Sequence, residues 1–513
     1  MFSYGITQIL IDKEGNNMKK LLPFLLTFSL AYGFAMPLMA EQTTEEAPKV
    51  EETTPSQDSQ PKSDEQQLQG FMVRHQISSE QVTKGTQVKP DPFTLLHTLK
   101  ADIVKYLQDN KPLKLKTTVT PLFSERLSKE LEGIPSLLLE TFIGKDGKGE
   151  TKFDIPKYIR TVPEDENGGE VYINWGGLDG QFDYPDTFET ITADITLQGL
   201  NIEEKDAFAM DMRQLAFVAD LDKDLLPVKI DTDLAVLAFR DENSIMVVLN
   251  DLELKTEMQK TASQVEINTG SFVIGDSGLG IAKKPASKFK QLKFTFGGEE
   301  QKGIANFTSQ FSIKRLELFE TIVDEGLKLN HKMDVALNNL DAPATAQLQQ
   351  TVRELKNQLH SGKISEDILN FAMFGQLMQL APAFLAKSPE IVLSNIVIDT
   401  NTKGDLKGDL KLGINGKKAK SLNNMMELLM AMTMQADFNI NKPLLKLGLT
   451  ATLGSEGQAD TRIKALIKDK TLVETEDSYI LSATIVDNKL TLNGQDMGAP
   501  MDLFMLLMPL AIQ

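Results

Sequence analysis

The stretch "LNDLELK", Leu249 to Lys255, has an irregular spacing of apolar residues that indicates a particular kind of strand. Its apolar residues are Leu249, Leu252 and Leu254, a step of three followed by a step of two. A regular strand alternates its faces with period two, so a step of three turns Leu249 to the wrong face. One extra residue, inserted as a β-bulge, restores the face of everything downstream. The stretch therefore predicts a strand bulged at Asp251, with its three leucines on one apolar face.

The same spacing recurs in four other segments of the chain. They are "LQGLNI" (197–202), "MRQLAF" (212–217), "FKQLKF" (289–294) and "LSNIVI" (393–398). The residue before the second apolar position is of a type that suits a bulge or a tight bend, namely Gly199, Gln214, Gln291 and Asn395. Five bulged strands that return to one face predict a strongly twisted and curved sheet.

The rest of the chain alternates strand-rich blocks with helical blocks. Helical periodicity predicts helices at 93–107, at 122–134, between 314 and 387, at 421–437 and at 497–513. Runs of β-branched and aromatic residues predict strands over most of 190–313 and at 390–414, 444–453 and 478–494. The predicted fold class is α+β: a long, strongly twisted, mostly antiparallel sheet with bulged strands, packed with amphipathic and Met-rich helices.

Composition excludes several classes of protein. The chain has 513 residues and no cysteine, which excludes thiolate metal sites, cysteine nucleophiles, disulfides and a lipoprotein anchor. The formal net charge is −18, and no block of lysine and arginine interrupts it, which disfavours nucleic acid as a partner. Hydrophobic residues make up 41% of the chain, enough for a substantial core.

Residues 18–40 have the order of a secretory signal peptide. A basic start, "MKK", is followed by an apolar stretch and a small residue, Ala40. This order predicts export and cleavage after Ala40. The alternative is a retained membrane anchor, because 21–39 is just long enough to span a bilayer.

The regions on either side of this segment are also predicted to lie outside the folded body. Lys13-Glu14-Gly15 can be encoded by a purine-rich ribosome-binding sequence, so we expect translation to begin at Met18 in a bacterium, and residues 1–17 to be a mis-annotated start. Residues 41–89 begin with a strongly acidic, aliphatic-poor stretch, which predicts a disordered linker. The folded body is predicted at 90–513.

Residues that could carry chemistry are few. The four histidines have no metal-ligand spacing and are predicted to be solvated: His75, His97, His331 and His360. "DLDKDLLP" begins like a calcium loop at Asp220, but Leu225 stands where such a loop needs glycine, so a charged turn is predicted. We expect no catalytic residue, no cofactor and no metal.

Methionine is concentrated in three predicted apolar helices. They are 365–387, 421–437 and 497–513, and together they contain 11 of the 21 methionines. Methionine suits surfaces that accommodate variable apolar partners such as acyl chains, although packing against the sheet accounts for it too. In a helix from Ser421 four side chains would form one stripe, which makes them the candidate apolar-ligand residues: Met425, Met426, Leu429 and Met430.

Four features together resemble a known family. They are the N-terminal apolar segment, the run "TVTPLFSERLSKELEGIP" leading into "YINWGGLDGQFDY", the bulged strands, and the closing "KLTLNG" strand with its helix. From about Lys114 to Gln513 the chain resembles the YdgA-like family of bacterial envelope proteins (domain of unknown function 945). It departs from the family pattern by the acidic segment that precedes the body. The resemblance implies an envelope location and no established activity.

The expected function is non-enzymatic. It is that of a periplasmic protein of a Gram-negative bacterium, which binds or handles phospholipid or another apolar envelope ligand on a curved sheet. The bulged strands are similar to those of AsmA- and TamB-type lipid-handling proteins at the level of fold. The alternative is a structural or protein-interaction protein that acts through its apolar helices, for example as a homodimer. An alternative location is the inner membrane, with the body anchored and facing the periplasm.

Overall fold

The computed structural model describes residues 68–499, which form two compact units. The N-terminal unit contains the residues up to Glu257 and Val273–Ala286, and the C-terminal unit contains Met258–Phe272 and the residues from Ser287 onward. The predicted start, the signal segment and the closing helix from residue 500 lie outside the described residues. So do short internal segments: 79–80, 90–91, 110–111, 163–169, 186–187, 205–207, 224, 226, 241–245, 282–283, 319–326, 361–363 and 420–424.

The N-terminal unit is an antiparallel sheet with two helices. Its strands pair in the order β1–β4–β5–β6–β9–β10–β11–β12–β13, and β7 pairs with β8, which also pairs with β10. Its elements are β1 (Leu68–Ser78), β2 (Gln81–Val82), β3 (Thr86–Val88), α1 (Pro92–Asp109), β4 (Leu113–Phe123), α2 (Glu125–Glu130), β5 (Leu137–Ile143), β6 (Gly149–Ile155), β7 (Tyr158–Val162), β8 (Val171–Trp175), β9 (Leu178–Tyr184), β10 (Thr190–Glu204), β11 (Phe208–Asp222), β12 (Pro227–Arg240) and β13 (Met246–Lys260).

The C-terminal unit is also an antiparallel sheet, with more helices. Its strands pair in the order β17–β18–β19–β20–β21–β22–β24–β25. The remaining elements of the chain are β14 (Glu266–Ile274), β15 (Ser277–Ile281), β16 (Lys284–Phe289), β17 (Gln291–Gln301), β18 (Ile304–Leu318), β19 (Lys328–Asp341), α3 (Ala342–His360), α4 (Glu366–Ala386), β20 (Glu390–Thr400), β21 (Gly404–Ile414), α5 (Met425–Ala431), β22 (Met432–Asn441), α6 (Lys442–Leu453), α7 (Glu456–Lys468), β23 (Val473–Glu474), β24 (Ser478–Val486), β25 (Lys489–Leu492) and β26 (Gln495–Asp496). The fold is thus a β-rich, mostly antiparallel α+β fold, as predicted.

The folded body begins earlier in the chain than predicted. Residues 68–88, which the sequence placed in the linker, form β1, β2 and β3, and β1 pairs with β4 along nearly its whole length. Val73 and Val88 are buried there. The linker was predicted from the acidic composition of the preceding residues. The period-two pattern in "FMVRHQI", which is the pattern of a half-buried strand, was not recognised.

The predicted bulges take three different forms. At Asn395 the prediction is confirmed, because φ is +51° and the register of β20 shifts against both neighbouring strands. Gln214 and Asp251 also have a left-handed backbone, with φ of 54° and 50°. The ladder of β10 skips a pair beside Gly199. At Gln291 the prediction was wrong, because β17 begins there after a break and the two apolar runs belong to different strands.

Four neighbouring strands of the N-terminal unit carry their irregularity at one level. On either side of it the register is unchanged, since Leu197 pairs with Leu215 and Gly199 pairs with Arg213. The same level is skipped in β11–β12 and in β12–β13. Each strand therefore leaves one residue out of the ladder at the same height, and no strand has to shift against its neighbour. The skipped residues are Gln198, Gln214, Ala235 and Asp251.

At the bulges, side chains of neighbouring strands satisfy the backbone. The N–H of Asn395 donates to Asp409 Oδ1 at 2.9 Å, and the N–H of Arg315, where φ is +50°, donates to Asn330 Oδ1 at 2.9 Å. An N–H that a bulge turns out of the ladder needs such an acceptor. The Asn and Asp residues of these strands are therefore part of the fold.

Replacing Asn395 with valine should destabilise the protein. A β-branched residue at φ +51° is strained, and we expect the free energy of unfolding to fall by about 2 kcal/mol. Asn395→Gly, which adopts this φ freely, is the matched control and should cost clearly less. Urea denaturation of the two variants checks the prediction, and equal losses would contradict it.

Two predicted elements have the opposite secondary structure. Residues 444–453 were predicted as a strand but belong to α6, which has a proline in its first turn and ends at Gly454 with φ +82°. Of the predicted helix at 421–437, the described residues are helical only in α5, and β22 starts at Met432. Local apolar spacing was misleading in both places. The alternation of "MTMQADFNI" matches its pairing with β21, and the run at 444–453 packs as a helix against α7, β21 and β22.

Two predicted helical blocks were too long. Residues 314–318 and 328–341 lie in the predicted block 314–387 but form the end of β18 and β19, so the first helix that the structure describes in this region begins at Ala342. In the block predicted at 122–134, only Glu125–Glu130 is helical. Helix propensity without an apolar face that packs on the sheet does not sustain a helix.

A buried tyrosine in the N-terminal unit gives the fold a pH dependence. Burial raises the pKa of Tyr184 to about 12, and its hydroxyl lies 2.8 Å from Thr151 Oγ1. Because the pKa is raised in the folded state, the contribution of Tyr184 to the free energy of unfolding is fully present below pH 10. It is lost as the pH rises towards 12, by up to about 2.7 kcal/mol. Tyr184→Phe should flatten this loss, as measured by urea midpoints at pH 8 and pH 11.5. An unchanged slope would contradict the prediction.

Candidate apolar binding surface

One face of the sheet formed by β10–β13 is mostly apolar. Residues directly opposed in antiparallel neighbours point to the same side. The register aligns two rows across the four strands, Leu197–Leu215–Leu234–Leu252 and Leu200–Met212–Leu237–Leu249. The rows lie on either side of the skipped level, so the step of three in each strand keeps both rows on the same face.

Helix α1 covers only one end of this face. Ile103 and Leu107 pack in a cluster with β4, β5 and Ile191 of β10, and Leu95 and Leu99 pack in a second cluster that reaches β1 and β6. In contrast, none of the described side chains of β12 and β13 is fully buried. We call the half-buried remainder on β11–β13 the open face: Met212, Leu215, Phe217, Ile230, Leu234, Leu237, Leu249, Leu252 and Leu254.

The opposite side of the same strands is polar and charged. Lys255 Nζ lies 3.8 Å from Asp231 Oδ1, and Asp233 is directly opposed to Glu253. A strand with charges on one side and leucines on the other normally buries the apolar side against another layer. Since the open face carries no titratable group, it can hold an apolar chain but offers no acid, base or nucleophile.

Only two of the four side chains of the predicted Met-rich stripe are described by the structure. Leu429 is half-buried and Met430 is 49% exposed on α5, while the side chains of Met425 and Met426 lie outside the described residues. All four belong to the C-terminal unit, whereas the open face belongs to the N-terminal unit. The apolar residues of β11 and β12 were not among the candidates, and the only sequence signal for them was the bulged-strand spacing.

A second apolar surface lies on helix α4. Its exposed large apolar residues are Ile368, Phe371, Phe374 and Leu377, and Phe371 is 79% exposed. Within the described part of the chain, Ile368–Ala386 is the one helix long and apolar enough to cross a membrane by length and composition, and 22% of it is buried. Exposed phenylalanines at this density are unusual on a soluble surface.

A hydroxyl, an imidazole and a carboxylate form a chain inside the N-terminal unit. His75 Nδ1 lies 2.9 Å from Thr117 Oγ1, and His75 Nε2 lies 2.9 Å from Asp102 Oδ2. The order of groups is that of a hydrolase triad. However, His75 and Thr117 are 4% and 3% exposed, so the hydroxyl cannot reach a substrate. The chain of hydrogen bonds links β1, α1 and β4.

The prediction that the histidines are solvated was wrong for two of the four. His75 is buried, and it was missed because its strand was assigned to the linker. His331 is half-buried with Nδ1 3.1 Å from the carbonyl oxygen of Val397, and burial lowers its pKa. His97 is exposed on α1, and the side chain of His360 lies outside the described residues.

A polar cavity lies in the C-terminal unit. Its volume is about 410 Å³, and it is lined by Gly298, Glu299, Asn306, Thr308, Asn338, Asn339 and Glu390. Asn306 Oδ1 accepts the N–H of Asn339 at 2.9 Å, and Glu390 pairs with Lys411 at 2.9 Å. These side chains stabilise the bulge at Asn339, where φ is +61°. In the described ranges no three His, Asp or Glu residues are placed to hold a metal.

Comparison with known proteins gives a family and no activity. No curated protein and no solved structure matches the chain. One family model, described as "bacterial protein of unknown function (DUF945)", matches residues 113–500, about three quarters of the chain. The match includes β4 to β26 and therefore all of the bulged strands. The chain belongs to this family of bacterial proteins, DUF945.

Proposed function

We propose that the protein binds the acyl chain of a phospholipid, or a similar apolar ligand, on the open face. It acts without catalysis, in the periplasm of a Gram-negative bacterium. The observation that carries the proposal is that nine apolar side chains on three paired strands stay half-buried while helix α1 covers the neighbouring strands. An exposed apolar patch of this kind marks a binding surface.

The dimensions of the open face suit an acyl chain. From Ile230 to Phe239, β12 advances about 30 Å, while one leaflet of a bilayer core is about 15 Å thick. An extended acyl chain therefore fits along the strands. Its contacts would be with leucine and methionine side chains, which impose little chain-length selectivity.

The opposite side of the strands explains why the ligand should lie on this face only. Asp231, Asp233 and Glu253 place carboxylates along the polar side, where an acyl chain would desolvate them at high cost. The sheet therefore has one apolar side and one charged side. Comparing a substitution on each side tests which side binds the ligand.

The export signal supports the location. The order of residues 18–40 is that of a secretory signal, and the absence of cysteine means that the chain needs no oxidative folding. The apolar ligands available in this compartment are mainly lipids of the two membranes. A retained anchor would leave the body on the same side of the inner membrane.

Native mass spectrometry with organic extraction of the purified protein tests the proposal. We expect phospholipid to co-purify in a defined ratio to the protein, and Leu252→Ser to lower that ratio more than Glu253→Ser, its neighbour on the polar side. The competing function is an interaction protein that docks a second copy. A stable dimer without lipid would support that function and overturn ours.

A further inference from the structure

Helix α4 presents an apolar surface that no other described element covers. Ile368, Phe371, Phe374 and Leu377 are spaced by three, so each side chain is turned about 60° from the previous one and the four span about half the helix circumference. Phe371 and Phe374 are 79% and 61% exposed. We call these four residues the docking surface.

The helix begins with Glu366 and Asp367 and carries no charge after them. Residues 368–386 contain no Asp, Glu, Lys or Arg, and only the end near Leu380, Ala381 and Leu385 is fully buried. Apart from the amides Asn370, Gln376 and Gln379 this stretch is apolar, and a helix of such composition is otherwise found in a protein core or in lipid. A protein partner usually meets a rim of polar and charged residues around an apolar centre, and α4 provides no charge for such a rim along this length.

The N-terminal sequence indicates a membrane as the surface that covers α4. The apolar segment at 21–39 targets the chain to a bilayer, and the predicted linker between it and the body, 41–67, has 27 residues. A chain of 27 residues spans at most about 95 Å. Until cleavage, or permanently where the segment is retained as an anchor, the body therefore stays within this distance of the bilayer, at a raised effective concentration.

We propose that the docking surface of α4 lies in the interface of a lipid bilayer and places the C-terminal unit on the membrane. Phenylalanine and leucine enter the boundary between headgroups and acyl chains. The net charge of −18 favours a zwitterionic surface over an anionic one. The proposal goes beyond lipid binding by the open face and does not depend on it, because the two surfaces belong to different units.

Tryptophan fluorescence of the full chain tests this directly. Trp175 is the only tryptophan, so Trp175→Phe/Phe371→Trp carries a single reporter on the docking surface. The matched control is Trp175→Phe/Val486→Trp, because Val486 is 58% exposed on β24 of the same unit. Both variants are mixed with phosphatidylcholine vesicles, with and without bromine on the acyl chains. Because both keep residues 21–39, binding through that segment affects them equally.

We expect the emission of the reporter at position 371 to shift to the blue and to be quenched by the brominated lipid, with no change for the reporter at position 486. Phe371→Ser/Phe374→Ser should lower the partition into these vesicles by roughly tenfold or more, relative to Val486→Ser. Phosphatidylglycerol vesicles should bind more weakly. Equal quenching of both reporters would overturn the proposal. The proposal would also be overturned if the emission from position 371 is blue-shifted without vesicles and does not change when they are added. That result is expected if a second copy or another segment of the chain covers α4.

Discussion

Leu252→Asp should remove most of the bound lipid while leaving a folded protein. Leu252 lies on β13, midway along the open face, and pairs with Leu234, so its replacement puts a carboxylate where we place the acyl chain. Desolvating that carboxylate would cost several kcal/mol, and since about 1.4 kcal/mol is a factor of ten in affinity, we expect at least a tenfold loss of lipid. Because the residue is only half-buried, the free energy of unfolding should fall by only about 2 kcal/mol.

The control for this variant is Glu253→Gln, on the polar side of the same strand. Glu253 is directly opposed to Asp233, so removing its charge relieves a repulsion and should leave lipid content unchanged. Lys255→Asp is a poorer control, because it would replace the contact between Lys255 and Asp231 with two opposed carboxylates. Lipid is quantified per folded molecule. Equal lipid content in Leu252→Asp and Glu253→Gln would show that the open face does not bind the lipid.

His75→Phe should have the largest effect on stability, a loss of about 3 kcal/mol. The imidazole forms hydrogen bonds with Thr117 on one side and Asp102 on the other. The near-isosteric phenyl ring forms no hydrogen bond with either side chain. The Thr117 hydroxyl is then buried without its partner, which is costly, whereas Asp102 is 28% exposed and can be rehydrated.

The matched control is His97→Phe, on the exposed side of α1, which should change the unfolding free energy by less than about 0.5 kcal/mol. A double-mutant cycle of His75→Phe with Asp102→Asn isolates the interaction of the two side chains, which we expect to exceed about 1 kcal/mol. Urea denaturation measures all of these proteins. A loss below about 1 kcal/mol for His75→Phe would mean that the network is incidental to the fold.

Bulged strands could be predicted from the sequence because the signal is local. An apolar step of three within a strand has few physical solutions, and at Asp251, Gln214 and Asn395 the backbone adopts the left-handed one. The matched level in β10–β13 could not be predicted, since it depends on which strands are neighbours. For the same reason α6 was predicted as a strand: its apolar spacing fits both structures, and packing against α7, β21 and β22 selects the helix.

The candidate site was predictable only in part. The leucines of β13 were placed on one face by their spacing, but the sequence does not tell which apolar face the helices leave uncovered. Burial depends on tertiary packing. For that reason β12 was predicted only as a strand, and its Leu234 and Leu237 were not among the candidate binding residues. The hydrogen bonds of His75 were missed because they join residues 27 and 42 positions apart in sequence.

Photo-crosslinking at position 252 tests whether the open face holds an acyl chain. p-Benzoylphenylalanine in place of Leu252 would react, in intact cells, with whatever lies against the open face, and the same substitution at Glu253 is its control on the polar side. We predict a mass increase by one phospholipid at position 252 and none at 253. A crosslink from position 252 to a peptide of this chain or of another protein, with no lipid adduct, would contradict the account.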